Sequence, residues 1–339
     1  MVMVTPAAGR YLLWGGCRNT NGWSYRDGAG LTISFPRFVL VMLDYRLLAV
    51  DIDGTLVNSQ DRITEMTCRA IRRAVAAGLR VVLATGRRYS RALPLVESLG
   101  LDVPVIASSG AIVKNPLGHQ TLYRAEFPGP GLRQLISLVR RLGFQPILLG
   151  DTFDQGFDYY LDPLDRPNTF VESYLQANPD CERYWPRMEE EPPSDVLAAF
   201  SIGDREQMLL VEQAIHEGFP GQYVTHVLRS PRYEGFFCEI APAGVDKWSA
   251  VRTVSAMLGV PLEAVCAVGD DVNDLPMIRE AGLGVAMGNA LAVVKEAADY
   301  VAPTHDEDGL AEVVAWLLGD RPFPQTAAVN RANERRKAE

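Results

Sequence analysis

Two stretches constrain this chain more than any other: "LLAVDIDGTLV" (47–57) and "AVCAVGDDVND" (264–274). Each is a short apolar run of strand character that stops on acidic residues and a turn. In an open parallel sheet, ligands gather at the carboxyl ends of the strands. A single Asp there would do no more than cap a helix or a turn. Two acidic clusters, each directly behind an apolar strand, mark a site, because like charges held together cost free energy unless something neutralises them.

The chain around these stretches alternates strand and helix from Met42 onward. Leu47–Val50 reads as a strand. Residues 64–78 read as a helix with Met66, Ala70, Ile71, Ala74 and Val75 on one face, stopped by Gly78. A strand follows at 79–85, a helix at 90–100 that bends or restarts at Pro94, and a strand at 103–108. The rhythm resumes after 240 with a helix (246–259), a strand (264–269), another strand (283–287) and helices at 291–298 and 309–318. Such alternation means right-handed βαβ units. The expected fold class is therefore α/β, a doubly wound, Rossmann-like parallel sheet. It is split by an α+β insert at 127–240, which opens on "PGPG" and holds a helix (132–143) and strand-like pieces at 144–149, 157–161, 196–203 and 236–240. The core is then 42–126 plus 241–322. Residues 1–41 show no sustained period and read as a poorly ordered extension, with "LTISF" (31–35) as an extra strand in the alternative; 323–339 reads as a flexible tail.

The strand ends carry Asp51 and Asp53, Thr85 and Gly86, Ser108 to Gly110, and Asp270, Asp271, Asn273 and Asp274. Asp51, Asp53, Asp270 and Asp274 together require a cation. Oxygen donors without His or Cys select a hard ion, and Mg2+ suits a site that keeps room for water and a phosphate oxygen. Overall the chain is acidic, with a formal charge of −9, and has no basic footprint for nucleic acid. The longest apolar run, 38–50, is interrupted by Asp44 and Arg46 and falls short of the ~18 residues a membrane helix needs. Five scattered cysteines, Cys17, Cys68, Cys181, Cys238 and Cys266, form no disulfide framework and read as core residues of a cytoplasmic protein. The four histidines sit at no ligand spacing.

These motifs resemble those of the haloacid-dehalogenase-like (HAD) phosphatases, and within them the Cof-type branch, subfamily IIB. The likeness rests on "DIDGTLV" (51–57), "ATGR" (84–87), Lys247 in "PAGVDKWSAV" (242–251), "VGDDVNDLPMI" (268–278), "MGNA" (287–290) and "DYVAP" with "DGLAEV" (299–313), and on an insert between the second and third motifs. It implies a phosphoester hydrolase in which Asp51 attacks phosphorus to form an aspartyl-phosphate. Asp53 is then the acid and base, its carbonyl turned to the metal, and Lys247 neutralises charge. Asp270 is the remaining direct metal ligand, with Asp274 also in the metal site, at or just behind the direct ligands. The Ile52 and Gly86 amides, the Thr85 hydroxyl and Asn273 hold phosphate oxygens. A lysine opening a helix is otherwise disfavoured by the helix dipole. Arg87 is expected to touch substrate or brace the lid, and Asp271 to serve the turn. "SSGA" (108–111) departs from the branch's usual Asn-Gly-Ala.

The insert is expected to close over the strand ends as a lid that excludes water and selects the leaving group. Its candidate contacts are Phe153, Phe157, Tyr159, Tyr160, Asp151, Arg232, Tyr233 and Glu234, of which each aromatic reads first as part of the lid's own core. The expected partner is a small phosphorylated metabolite, sugar phosphates first and cofactor phosphates such as flavin mononucleotide or pyridoxal phosphate next, with monomer or dimer open. A phosphomutase or phosphotransferase would use the same intermediate. A regulatory protein on this fold would have lost Asp53 or Lys247, and both are present.

Overall fold

The computed structural model describes residues 23–26, 32–35, 45–127, 129–163, 165–229 and 232–324. The chain divides into two compact units, Met1–Met42 and Leu43–Glu339. In the first, Trp23–Arg26 pairs antiparallel with Thr32–Phe35, the latter inside "LTISF". The remainder of the 1–41 extension, and the tail from 325, lie outside the described residues.

The second unit is built on a parallel sheet. Its strands run in the order Tyr300–Val301, Leu283–Ala286, Val265–Gly269, Leu47–Val50, Arg80–Leu83. A parallel bridge from Ala84 to Ile106 adds Val105–Ala107 at the far side. The two central strands are buried at every position, as strands covered on both faces must be. From Leu47–Val50 the chain winds toward Val105–Ala107. From Val265–Gly269 it winds the other way. The switch point therefore falls between these two neighbours, where Val268 faces Val50 and the Asp51 amide donates to the Val268 carbonyl at 3.0 Å. The crevice past their carboxyl ends is where such sheets bind ligands.

The core helices expected from sequence are present, with the buried face of one corrected, and Leu275–Glu280 went unread. Glu65–Ala76 is capped by Thr64, whose side chain accepts from the Thr67 amide, but it buries Thr67, Ala70, Ile71 and Ala74. Met66 and Val75, expected on the inner face, are exposed. The face is rotated because Thr67 packs inward while its hydroxyl donates to Asp308 at 3.2 Å, so a polar residue fills a core position. Tyr89–Leu99 runs on through Pro94 as one helix. Phe323, placed in the tail by sequence, packs on Tyr300 and Trp316 at ring distances of 5.1 and 5.9 Å.

The insert forms its own mixed sheet, in the order Glu182–Tyr184, Tyr159–Leu161, Ile147–Gly150, Val196–Gly203, Phe236–Pro242, Tyr223–Arg229. Helices Gly129–Arg141 and Arg205–Gly218 contribute to one apolar cluster with it. Helices Thr169–Ala177 and Arg205–Gly218 and strands Glu182–Tyr184 and Tyr223–Arg229 went unread in the sequence, their spacing lost among polar residues. Among the described residues, Cys68, Cys181, Cys238 and Cys266 are free. No helix is long and apolar enough to cross a membrane.

Candidate active site

At the switch point, carboxylate oxygens of Asp51, Asp270 and Asp274 lie within 4.8 Å of one another. Lys247 enters from the first turn of helix Lys247–Met257, which is capped by Asp246 and Ser249. Its Nζ donates to Asp51 Oδ1 and to Asp274 Oδ1, both at 2.6 Å. The lysine is fully buried, and this double pairing accounts for a cation at an unfavourable helix end. Burial works against its charge, but Asp274 and Asp51 outweigh that and hold its pKa above the ordinary lysine range. Burial pushes the Asp51 carboxyl up to about 8, opposed by Lys247 and reinforced by Asp274. Asp270 is likewise raised, by burial and then by Asp51 and Asp274.

Asp274 has both oxygens engaged, Oδ1 by Lys247 and Oδ2 by the Asp270 and Asp271 amides at 2.9 and 3.1 Å. It positions the loop and the lysine. Asp270 accepts from Thr55 Oγ1 at 3.0 Å and from Asn289 Nδ2 at 3.3 Å, and Asn289 also donates to the Gly54 carbonyl at 2.8 Å. The role of Asn289, in "MGNA", went unassigned in the sequence. Gly54 is obligatory here: its φ is +79°, and a β-carbon on it would lie 2.2 Å from Asp270 Oδ2. Three carboxylates against one ammonium leave an excess of about two negative charges when all are ionised. That excess, on oxygen donors alone, fits a hard divalent cation.

Asp53 stands apart from this cluster. Its two oxygens are held by Arg87, Nε to Oδ2 at 2.8 Å and Nη2 to Oδ1 at 2.7 Å. Its side chain is thus committed elsewhere, which leaves its backbone carbonyl as the means by which Asp53 could serve a metal. Arg87 also reaches Asp61 at 2.7 Å, and Arg232 of the lid pairs with the same Asp61. Burial opposes the charge of Arg87, but Asp53 and Asp61 more than offset it and raise its pKa.

The remaining expected residues surround the same spot. Ile52 is buried, its carbonyl accepting from Leu56 and Val57 at 3.0 Å to fold the loop back. Thr85 is buried and accepts from the Arg87 amide at 3.0 Å, leaving its hydroxyl proton to donate. Asn273 Nδ2 approaches Ser109 Oγ at 3.4 Å. Ser109 Oγ in turn donates to Glu239 Oε2 at 2.6 Å, a lid residue the sequence did not single out. Burial raises the Glu239 carboxyl to about 6, against its Ser109 hydrogen bond and Lys247. Asp271 caps the turn at Val272–Asp274, as expected.

Above these groups lies a cavity of about 180 Å³ between lid and core. Arg232 and Tyr233, two of the candidates, line it, along with Tyr174, Phe200, Phe237, His226 and Glu239. The other candidates, Glu234 included, do not line it, and the aromatics among them pack within the protein, in line with their first reading. Tyr159 is fully buried, Phe157 and Tyr160 pack edge-on at 5.0 Å, Phe153 packs on Tyr89, and Asp151 pairs with buried Lys114 at 2.8 Å. His226, given no role from sequence, has its pKa lowered by burial and then by Lys247. Trp248 is buried in the main core cluster.

A family model described as haloacid dehalogenase-like hydrolase matches residues 48–314. The Bacillus subtilis protein YcsE, a 5-amino-6-(5-phospho-D-ribitylamino)uracil phosphatase, is 31% identical over 281 residues, covering 81% of this chain and 97% of its own. A haloacid dehalogenase-like hydrolase from Bacteroides thetaiotaomicron is 29% identical, with a TM-score of 0.65 over 80% of this chain and 98% of that one. A structure described as a HAD subclass IIB sugar phosphatase is 26% identical, with a TM-score of 0.65 over 79% and 97%.

Proposed function

This chain belongs to the haloacid dehalogenase-like hydrolases and is a phosphatase; from that premise we propose that it hydrolyses small organic phosphomonoesters through a covalent phosphate on Asp51. The observation that carries the reading is the Lys247 ammonium, 2.6 Å from both Asp51 and Asp274, with Asp270 in the same cluster. The lysine fixes one oxygen of Asp51. Oδ2, which takes no hydrogen bond among the described residues, is left to attack.

In the first step Asp51 Oδ2 bonds to phosphorus, the ester P–O bond breaks, and Asp53 gives its proton to the leaving oxygen. In the second, a water attacks phosphorus, Asp53 takes its proton, and the Asp51–phosphate bond breaks to release inorganic phosphate. Arg87 keeps Asp53 turned to the site, and one Asp53 oxygen comes free of the pair for each proton transfer. Lys247, the Thr85 hydroxyl and the Ile52 and Gly86 amides hold the phosphoryl oxygens, with Asn273 beside them. Mg2+, held by Asp51, Asp270 and the Asp53 carbonyl with Asp274 behind them, would neutralise charge on the phosphoryl group. The lid cavity suits a leaving group of small-metabolite size. Sugar and sugar-alcohol phosphates come first, since one related structure is named a sugar phosphatase and YcsE is named for a phosphoribityl substrate.

The test is turnover of a panel of phosphorylated metabolites with Mg2+ and with EDTA, alongside Asp51→Asn. Phosphate release that needs Mg2+ and disappears in the folded variant is expected. Release that survives Asp51→Asn would remove the covalent step.

A further inference from the structure

Glu239 is the one lid carboxylate lining the cavity above the phosphate-holding loops. Its strand, Phe236–Pro242, is paired on both sides: Glu239 faces Phe200 on one neighbour and His226 on the other. The flanking Cys238 and Ile240 point into the lid's own apolar cluster, so strand alternation turns Glu239 toward the core. Oε2 accepts from Ser109, and Oε1 lies 3.2 Å from where a β-carbon on Gly86 would be. Among the described residues Oε1 accepts no hydrogen bond. Ser109 is aimed by a turn in which Ser108 and Ser109 both take left-handed φ, +49° and +53°, a conformation that costs free energy for residues other than glycine.

A carboxylate that lines a cavity, with one oxygen held by Ser109 and the other free to accept, favours a ligand that brings a donor and disfavours one that brings a second negative charge. We infer that Glu239 is a specificity-determining residue that selects leaving groups carrying a hydroxyl or amine next to the phosphoester oxygen. This rests on the phosphomonoesterase reading above. Selection costs an ester without such a donor the desolvation of Oε1, left unpaired when the lid closes over it.

Two esters of similar leaving-group chemistry separate the possibilities: glycerol 1-phosphate, with hydroxyls beside the ester, and n-propyl phosphate, without them. The readout is the ratio of their kcat/KM values in the wild-type chain, Glu239→Gln and Glu239→Ala. Glu239→Gln keeps the size and an acceptor for Ser109, so it guards against a simple folding defect. The ratio should fall about tenfold or more in Glu239→Ala, the worth of one hydrogen bond to a charged group, and by less in Glu239→Gln, chiefly through KM for the glycerol ester. A ratio that stays put in both variants, whether each rate is kept or both fall together, would overturn the assignment and leave the phosphatase reading standing. No Mg2+-dependent turnover of either ester or of the wider metabolite panel by the wild-type chain would overturn both.

Discussion

Arg87 grips Asp53 through two parallel hydrogen bonds of 2.8 and 2.7 Å, so the guanidinium that ends the "ATGR" motif occupies both oxygens of the proposed acid and base. The same arginine reaches Asp61, which Arg232 of the lid also holds. Lid contact and the orientation of Asp53 are thereby linked, through Arg87 and Asp61 and also directly, since Arg232 lies 3.7 Å from Asp53 Oδ1. Replacing Arg87 by Ala should lower kcat/KM about tenfold or more by freeing Asp53 to turn from the site. Lys, a point charge without the fork, should recover only part of the loss. Steady-state kinetics on both variants check this; equal activity in Ala and wild type would rule out a positioning role.

Removing Lys247 leaves buried carboxylates without their ammonium. Lys247→Met should abolish turnover and cost about 3 kcal/mol or more of stability, the usual scale for breaking a buried pair from one side. Urea unfolding of the metal-free chain measures it. A variant as stable as the wild type would mean that the acids do not depend on the lysine in the folded state.

Mg2+ should raise the melting temperature in a concentration-dependent way, by binding the folded state alone, and EDTA should reverse the rise. Asp270→Asn removes charge from the cluster without touching Lys247, and should blunt that rise. Thermal melts across a Mg2+ series suffice. An unaltered response in Asp270→Asn would move the cation away from this carboxylate.

Gly54 and Gly78 make a matched pair. Both have positive φ, +79° and +93°, but a β-carbon on Gly54 would strike Asp270 whereas nothing lies within 4 Å at Gly78. Gly78→Ala should cost about 1 kcal/mol from backbone strain alone. Gly54→Ala should cost more and also weaken the Mg2+ effect on melting, because Asp270 must move.

The Glu239 carboxyl, raised by burial to about 6 from an ordinary 4.5, contributes a definite sign to the pH dependence of stability. Between these values the folded chain holds a proton that the unfolded chain has released. Stability from this group is present below about 4.5 and is lost as pH rises through 6. Denaturant titrations of wild type and Glu239→Gln across that window should diverge, with the wild type losing stability relative to the variant as pH rises.

Much of the site was legible because its parts are local. An apolar strand with Asp51 at its tip, or Val265–Gly269 running into Asp270, is a short-range pattern whose consequence follows from sheet geometry. The helix at 65–76 shows where that fails: Met66 and Val75 fit an apolar face, yet Thr67 took the inner position because Asp308, far along the chain, offers its hydroxyl a partner. The lid was harder still. Its aromatics all read alike, and which of them meet the cavity depends on strand pairings between segments tens of residues apart.

The sequence by itself determined the candidates: strand-end carboxylates, a lysine and small residues at the strand tips, in an order that fits a parallel sheet interrupted by an insert. Tertiary structure alone decided that Arg87 holds Asp53, that Asp274 spends both oxygens on its neighbours, and that Glu239 faces the cavity. The physical reason is that Arg87 to Asp53, Lys247 to Asp274 and Ser109 to Glu239 join positions 34, 27 and 130 residues apart. The first two are set by how core strands and helices pack, the third by how the insert's sheet seats on the core, and no local period records either.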